Sequence, residues 1–167
     1  MLELDEVWSF VQKKANKSWL WIGLCRRTRQ VVAYAVGGRG VDTCQKLKAS
    51  IAQAYCQAQT LSDFWQPYQK VFGQAHRCVG KDSGETSHVD RWNNTLRQSL
   101  GRFVRKTLSF SKTAENHEAS LKLFSHEYNI TARHEYLTQS QSRLNHYPGG
   151  QSGAMTQPLR QCLASAL

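Results

Sequence analysis

Three runs of strand-forming residues, separated by short polar turns, open the chain and limit the folds that it can adopt. They read LELDEVWSFV, SWLWIGLC and VVAYAV, at 2–11, 18–25 and 31–36. The turns KKANKS and RRTRQ are too short for the dozen or more residues that a parallel crossover needs. The pattern therefore predicts a three-stranded antiparallel meander, in which the nearly continuous apolar second run is buried on both faces.

The apolar period changes after this meander from two residues to three or four. Apolar side chains recur at helical spacing at Cys44, Leu47, Ile51 and Tyr55. A helix is predicted over 42–57, with Asp42 or Thr43 as its N-cap. Three shorter elements follow, a rather polar strand, one or two helical turns and a last strand, at 59–62, 65–72 and 76–79.

The segment HVDRWNNTLRQSLGRFVRKTLSFSK, at 88–112, carries the strongest helical pattern in the chain. At 100° per residue its apolar side chains form one stripe, made by Val89, Trp92, Leu96, Leu100, Phe103 and Val104. After Asp90 the segment contains six Arg or Lys and no acid. A second helical piece is predicted over 113–128. The Gln- and Ser-rich remainder, 130–167, has little periodicity and is predicted to be a disordered or loosely attached tail.

The order of these elements favours an α/β fold of the ribonuclease H type. Three antiparallel strands, a crossover helix, parallel strands and a closing helix would form a mixed five-stranded sheet flanked by helices. In such a fold the first strand is central and lies beside the fourth. The sequence therefore predicts one ribonuclease H-like domain over 1–129, followed by the tail at 130–167.

Three aspartates fall on elements that this fold brings together. Asp5 lies in the first strand, Asp63 ends the fourth and Asp90 begins the long helix. Clustered carboxylates repel one another, and Mg²⁺, which prefers oxygen ligands, relieves that repulsion. The three acids are therefore candidate catalytic residues and ligands for two Mg²⁺ ions, or Mn²⁺ in their place, acting on a phosphodiester. Each also has an ordinary alternative: an edge-strand acid, the N-cap of the Phe64–Trp65 turn, and a first-turn acid at a helix dipole.

The charge of the chain favours a polyanionic partner. Its formal net charge is +10 and its pI is about 9.6, which places nucleic acid first and an acidic membrane second. No signal peptide opens the chain and no apolar run is long enough to cross a bilayer, so no membrane partner is expected. The five cysteines have no CxxC spacing, and we interpret them as reduced, mostly buried thiols in a cytosol.

The segments LELDEVWSFV, LSDFW and HVDRWNNTLRQSLGRFVRKTLSFSK, with the later NH and HEYN, resemble the catalytic half of bacterial insertion-sequence-one transposases. The likeness covers about residues 1–129, and its last motif is long and specific. It implies a DDE-type transposase of ribonuclease H-like fold that performs Mg²⁺-dependent strand cleavage and strand transfer at the ends of its element. By motif, the first acid is Asp5, the second Asp63 and the third Asp90.

The basic long helix supplies the candidate DNA-binding residues. Asn93 and Asn94 would orient an acid or a phosphate oxygen. Four cations would neutralise phosphates of the element ends and the target duplex: Arg97, Arg102, Arg105 and Lys106. For each cation the alternative role is solubility alone.

The resemblance also implies partners and a location. Complete enzymes of the family carry an upstream zinc-finger and helix-turn-helix portion, and this chain resembles the second of two reading frames. The upstream portion is therefore an expected partner, and a homo-oligomer on DNA is a further expectation. The expected location is the bacterial cytoplasm, at the nucleoid.

One departure from the family pattern concerns the third acid, which is usually glutamate but is Asp90 here. Aspartate is shorter by one methylene, so its oxygens retreat by roughly 1.5 Å, a misplacement that can cost about a hundredfold in rate. Three hypotheses stay open: an active transposase domain, a catalytically impaired DNA-binding remnant that regulates transposition, and a stand-alone ribonuclease H-like nuclease. Metal-dependent nicking separates the first from the second, and joining of a 3′ end to a second duplex separates the first from the third.

Overall fold

Five strands form one mixed sheet in the computed structural model, which describes residues 1–145. Strands β1 to β5 lie at Leu2–Phe10, Lys17–Cys25, Val31–Gly37, Thr60–Ser62 and His76–Cys78. Their order across the sheet is β3-β2-β1-β4-β5. The first three strands are antiparallel, whereas β4 is parallel to β1 and β5 is parallel to β4. The predicted meander, the central position of β1 and its parallel fourth neighbour are confirmed.

The chain divides into two units after Glu135. The whole sheet belongs to the first unit, and the described part of the second, 136–145, is helical. Among the described residues, no helix combines the length and apolar character that a membrane span requires.

The four α-helices, α1 to α4, lie at Val41–Ser50, Gln66–Phe72, Ser87–Ser99 and Ala114–Asn145. The first is shorter than the predicted 42–57, because Ile51 is extended and only a 3₁₀ turn at Gln53–Tyr55 follows. Ile51 and Tyr55 still pack against the core. The spacing of these two buried residues therefore predicted a longer helix than the one that forms.

The N-terminus of α1 also differs from the prediction. Gly40, rather than Asp42 or Thr43, is the N-cap. The Thr43 side chain is buried against Gly37, where an added Cβ would lie only 2.7 Å from the Thr43 hydroxyl oxygen. Glycine at position 37 therefore lets α1 approach the end of β3 closely.

Helix α3 ends well before the predicted end of the long helix at Lys112. Leu100 is extended, a single 3₁₀ turn at Gly101–Phe103 follows, and the chain then stays irregular until α4. The break falls at a glycine, which is a poor helix former. Phe103 is nevertheless buried with the apolar residues of α3, so the predicted stripe partly persists across the break.

Helix α4 runs past the predicted end of the second helical piece at 128. Residues 130–145, which the sequence assigned to a loosely attached tail, instead continue this helix. That stretch contains no Gly or Pro that would stop it. The rest of the predicted tail, 146–167, lies outside the described residues.

The sheet buries an apolar core on each face. The core toward α3 and α4 includes Val7, Ile22, Trp92, Leu96, Phe103 and Leu121. The core toward α1 and α2 includes Leu2, Leu4, Trp21, Leu47 and Tyr68. Asn129 of α4, in the HEYN motif, exchanges two 2.8 Å hydrogen bonds with the backbone of Val31 and so ties down edge strand β3.

Candidate active site

A pocket opens where β1 and β4 separate. The two strands pair only through Leu2 and Glu3 of β1, because β4 is three residues long and the chain turns away at Asp63. The later part of β1 therefore has an open edge, beside a pocket of about 430 Å³. Its charged and amide-bearing lining residues are Asp5, Glu6, Arg39, Asp63, Asp90, Asn93, Asn94, Arg97 and Arg105. Asp5, Asp63 and Asp90 thus meet at one cavity, although they are far apart in sequence.

Asp5 is the most perturbed acid of this pocket. Burial, together with the negative charges of Glu6, Asp90 and Asp63, raises its pKa to about 7. The Asn93 side-chain amide of α3 donates a 2.5 Å hydrogen bond to Asp5 Oδ2. The edge-strand alternative for Asp5 does not hold, because β1 is the middle strand of the sheet.

Asp63 and Asp90 each combine a structural role with a place in the pocket. Asp63 Oδ1 accepts a 3.1 Å hydrogen bond from the Trp65 backbone N–H, as the turn-capping alternative requires. Asp90 is exposed and lies in the first turn of α3, where the helix dipole favours a negative charge. Both carboxylates still line the pocket beside Asp5. Each of the two therefore has a local role as well as a place in the pocket lining, and its catalytic role stays a prediction.

Helix α3 is fixed to β1 by the fully buried carboxylate of Glu3. Its Oε2 accepts the backbone N–H groups of His88 and Val89, each at 3.0 Å, and its Oε1 lies 2.7 Å from His88 Nδ1. The pKa of Glu3 is raised by burial, against the opposing effects of the Val89 N–H and Arg26. Glu3 therefore caps a helix that is distant in sequence, two residues before Asp5 on the same strand.

We expect Glu3→Gln to lower the free energy of unfolding by about 1–2 kcal/mol, because the amide removes the negative charge that the two N-terminal N–H groups of α3 and the Arg26 guanidinium face. Urea unfolding followed by tryptophan fluorescence measures this loss. Glu85→Gln is the matched control, since Glu85 pairs with Arg77 and Arg26 outside the core and should change stability by less than about 0.5 kcal/mol. Equal effects of the two substitutions would contradict the capping role.

The predicted DNA-binding residues divide into two groups. Asn93, Asn94, Arg97 and Arg105 line the pocket. Arg102 and Lys106 are exposed but do not belong to its lining. Burial and the nearby Arg105 lower the pKa of Arg97, an effect that the negative charge of Asp5 opposes.

Sequence reasoning missed two charged residues of the pocket, Glu6 and Arg39. Glu6 Oε1 accepts hydrogen bonds from Arg39 Nε and Nη2 at 3.0 and 2.6 Å, and Glu6 Oε2 accepts one from the Tyr68 hydroxyl at 2.9 Å. Glu6 is adjacent to Asp5, and Arg39 belongs to the flexible GGRG stretch. Both residues therefore occupy positions that could be recognised in the sequence. Their pairing with each other, across 33 residues, could not be recognised there.

The fold and the pocket together define a class of protein. A β3-β2-β1-β4-β5 mixed sheet, with acids from β1, the end of β4 and the next long helix at one cavity, is a ribonuclease H-like architecture. Within the part of the chain that the structure describes, no three His, Cys, Asp or Glu side chains are close enough together to hold a metal ion.

Comparison with known proteins then identifies the family. The sequence profile of the IS1 transposase family matches residues 1–131, so the chain belongs to that family. The chain is 38% identical to the insertion element iso-IS1n protein InsB of Shigella dysenteriae over 122 residues, which cover 73% of this chain and 91% of that protein. It is 36% identical to the IS1 protein InsB of Shigella flexneri over 129 residues, or 77% and 93% of the two chains. No solved structure matches.

Proposed function

We propose that this chain is the catalytic domain of a DDE-type transposase, which cuts a strand at insertion-sequence ends and transfers the freed 3′ end to target DNA. The observation that carries this proposal is that Asp5, Asp63 and Asp90 line one pocket. Membership of the IS1 transposase family supports the same function. An upstream zinc-finger and helix-turn-helix portion, and a homo-oligomer on DNA, are part of the proposal.

The donor atoms of the pocket suit divalent cations. Asp5, Asp63 and Asp90 offer carboxylate oxygens, which Mg²⁺ prefers. Burial, with the neighbouring carboxylates of Glu6, Asp90 and Asp63, raises the pKa of Asp5, so a bound cation would offset the cost of ionising it. Asn93 Oδ1 is buried with no hydrogen-bond partner in the described structure. No three acids of residues 1–145 are close enough together to hold an ion as they stand, so holding two Mg²⁺ ions, or Mn²⁺ in their place, would require the carboxylates of the three aspartates to move closer together. Such ions activate a water or a 3′-hydroxyl and stabilise the leaving oxygen of a phosphodiester.

The side chains around the acids prepare the site for DNA. Asn93 fixes one oxygen of Asp5, and the Glu3 cap fixes the helix that carries Asp90. Arg97 Nε is buried with no hydrogen-bond partner among residues 1–145. Because Arg97 lines the pocket and its Nε is unsatisfied there, its guanidinium suits a phosphate group. Arg105 adds a second cation on the same side.

A cleavage and joining assay tests the proposal. The protein is incubated with labelled end-containing DNA and an unlabelled target duplex, in Mg²⁺ or Mn²⁺, with and without the upstream portion. We expect metal-dependent nicking at the element end, followed by joining of the 3′ end to the target. Nicking without joining would favour a stand-alone nuclease.

The regulatory remnant remains a second candidate because Asp90 stands where the family usually has glutamate. A remnant would bind DNA through the same basic surface but would not nick it in either metal. The presence or absence of nicked DNA therefore separates the transposase from this candidate.

DNA affinity should fall steeply with salt, and replacing Arg102 and Arg105 together by Gln should flatten the log–log slope by between about one and two units. Both side chains are exposed, so each can neutralise a phosphate. Fluorescence anisotropy over a salt series measures the slope. The pair Lys122→Gln and Arg133→Gln, exposed on α4, makes the same charge change elsewhere and is the control. An unchanged slope in the first variant would show that Arg102 and Arg105 do not face DNA.

A further inference from the structure

Arg39 is exposed, yet two aromatic rings and one carboxylate hold its guanidinium in place. It lies between β3 and α1, and its guanidinium carbon is 4.5 Å from the centroid of the Trp19 ring and 4.1 Å from that of the Trp65 ring. Nε and Nη2 both donate to Glu6 Oε1. Two aromatic faces and one carboxylate therefore fix both the position and the plane of the guanidinium.

This fixed arginine still has donors to offer. The described hydrogen bonds use Nε–H and one N–H of Nη2, which leaves the second N–H of Nη2 and the two N–H groups of Nη1 for other acceptors. The Arg39 side chain is 41% exposed, whereas that of its partner Glu6 is 2% exposed. Arg39 also lines the pocket that contains the three aspartates. A ligand in that pocket can therefore contact Arg39.

The cations of the pocket stand on opposite sides of β1. Successive residues of a strand face opposite ways. Asp5 bonds Asn93 of α3, whereas Glu6 bonds Tyr68 of α2. Arg97 and Arg105 accordingly belong to the α3 side, and Arg39, paired with Glu6, belongs to the other side. Of the acids, Asp5 and Asp90 belong to the α3 side and Glu6 to the side of Arg39.

We infer that Arg39 forms a phosphate subsite for a nucleotide that lies across the cleaved bond from the phosphates bound by Arg97 and Arg105. The inference rests on the proposed function and extends it to the path of the DNA strand. A strand that crosses four carboxylates needs cations at both ends of the crossing, and a guanidinium fixed in advance loses little conformational entropy on binding. Glu6 positions Arg39 and, with both oxygens already bonded, takes no other part.

The experiment pairs single phosphates with single side chains. End-containing oligonucleotides carry one neutral methylphosphonate linkage at each position around the cleaved bond, and anisotropy measures their affinity for the 167-residue chain. We expect one linkage on the Arg39 side to weaken wild-type binding by about tenfold, the loss of one charge-assisted contact. Arg39→Gln should weaken binding of unmodified DNA equally, and the neutral linkage should then cause no further loss.

A second variant guards against a folding defect. Arg39→Gln leaves the buried Glu6 without its cation, whereas the double variant Glu6→Gln and Arg39→Gln keeps a neutral hydrogen-bonding pair. It should show the same insensitivity to that linkage. If neutral linkages weaken binding equally in wild type and in both variants, the subsite is overturned. Loss of response only at linkages that pair with Arg97 or Arg105 would also overturn it, while leaving the proposed function standing. No binding of end-containing DNA by wild type would overturn both.

Discussion

Replacing Asp5 by asparagine is expected to reduce strand cleavage by at least about a thousandfold, the effect of losing several kcal/mol of metal-derived transition-state stabilisation. Asp5 is the only one of the three on the central strand, and the charges of both Asp90 and Asp63 contribute to its raised pKa. DNA affinity should change little, because the cations around the pocket are untouched. Gel analysis of nicked DNA and anisotropy measure the two effects separately.

The same substitution should not destabilise the metal-free protein. Folding raises the pKa of Asp5 from 3.8 to about 7, so ionised Asp5 lowers the stability of the folded state. This penalty is absent below about pH 4, grows between pH 4 and 7 and is complete above pH 7. Asp5→Asn should therefore equal wild type in stability at low pH and exceed it at pH 8.

Mg²⁺ should reverse the order of stability of wild type and Asp5→Asn. Ions that bind only the folded state raise the melting temperature of wild type, and Asp5→Asn should lose this response. Asp42→Asn is the matched control, an exposed first-turn aspartate of α1 outside the pocket that should keep both cleavage and the metal response. Cleavage that survives in Asp5→Asn would show that the pocket is not the active site.

Asp90→Glu is expected to raise cleavage by about ten- to a hundredfold. Asp90 is exposed in the first turn of α3, so a longer side chain meets no packed core and keeps its charge near the helix N-terminus. In the described structure no three acids are close enough to hold a metal ion, and one more methylene extends the reach of the third carboxylate, which lines the same pocket as the other two. The gain should be clearest in Mg²⁺, whose octahedral geometry tolerates misplaced ligands poorly.

A second variant, Asp90→Asn, and a stability measurement are the controls for Asp90→Glu. Asp90→Asn should abolish cleavage while DNA binding is kept. Stability should change by less than about 0.5 kcal/mol in Asp90→Glu, as for other surface substitutions. If Asp90→Glu leaves cleavage at background even when the upstream portion is supplied, ligand length does not limit the reaction. The chain would then be a remnant that regulates transposition.

The sheet could be predicted well because its information is local. Alternating or continuous apolar runs and short turns determined β1 to β3, and the strand order followed from the short turns and one crossover helix. Helix ends were harder. The apolar stripe continued to Phe103 although the helix stopped at Ser99, because a buried side chain does not reveal the conformation of its backbone.

The candidate site was predictable only in part for a related reason. Asp5, Asp63 and Asp90 each sit at a recognisable place on a strand or helix. The partners that shape the pocket act across the chain: Glu3 reaches the first turn of α3, and Glu6 reaches Arg39 and Tyr68. Such pairings depend on three-dimensional packing, which composition and periodicity do not encode. From the sequence alone, Glu3 cannot be distinguished from any other acidic residue of a strand.

Anomalous diffraction from crystals of this chain soaked in Mn²⁺ tests the central claim most directly, because it locates the ions and their ligands together. We expect Mn²⁺ peaks in the pocket, with carboxylate oxygens of Asp5, Asp63 and Asp90 as ligands. In crystals of the Asp90→Glu variant we expect two ions about 4 Å apart. Mn²⁺ bound only elsewhere, or a pocket in which one of the three aspartates faces away from the ions, would contradict the account.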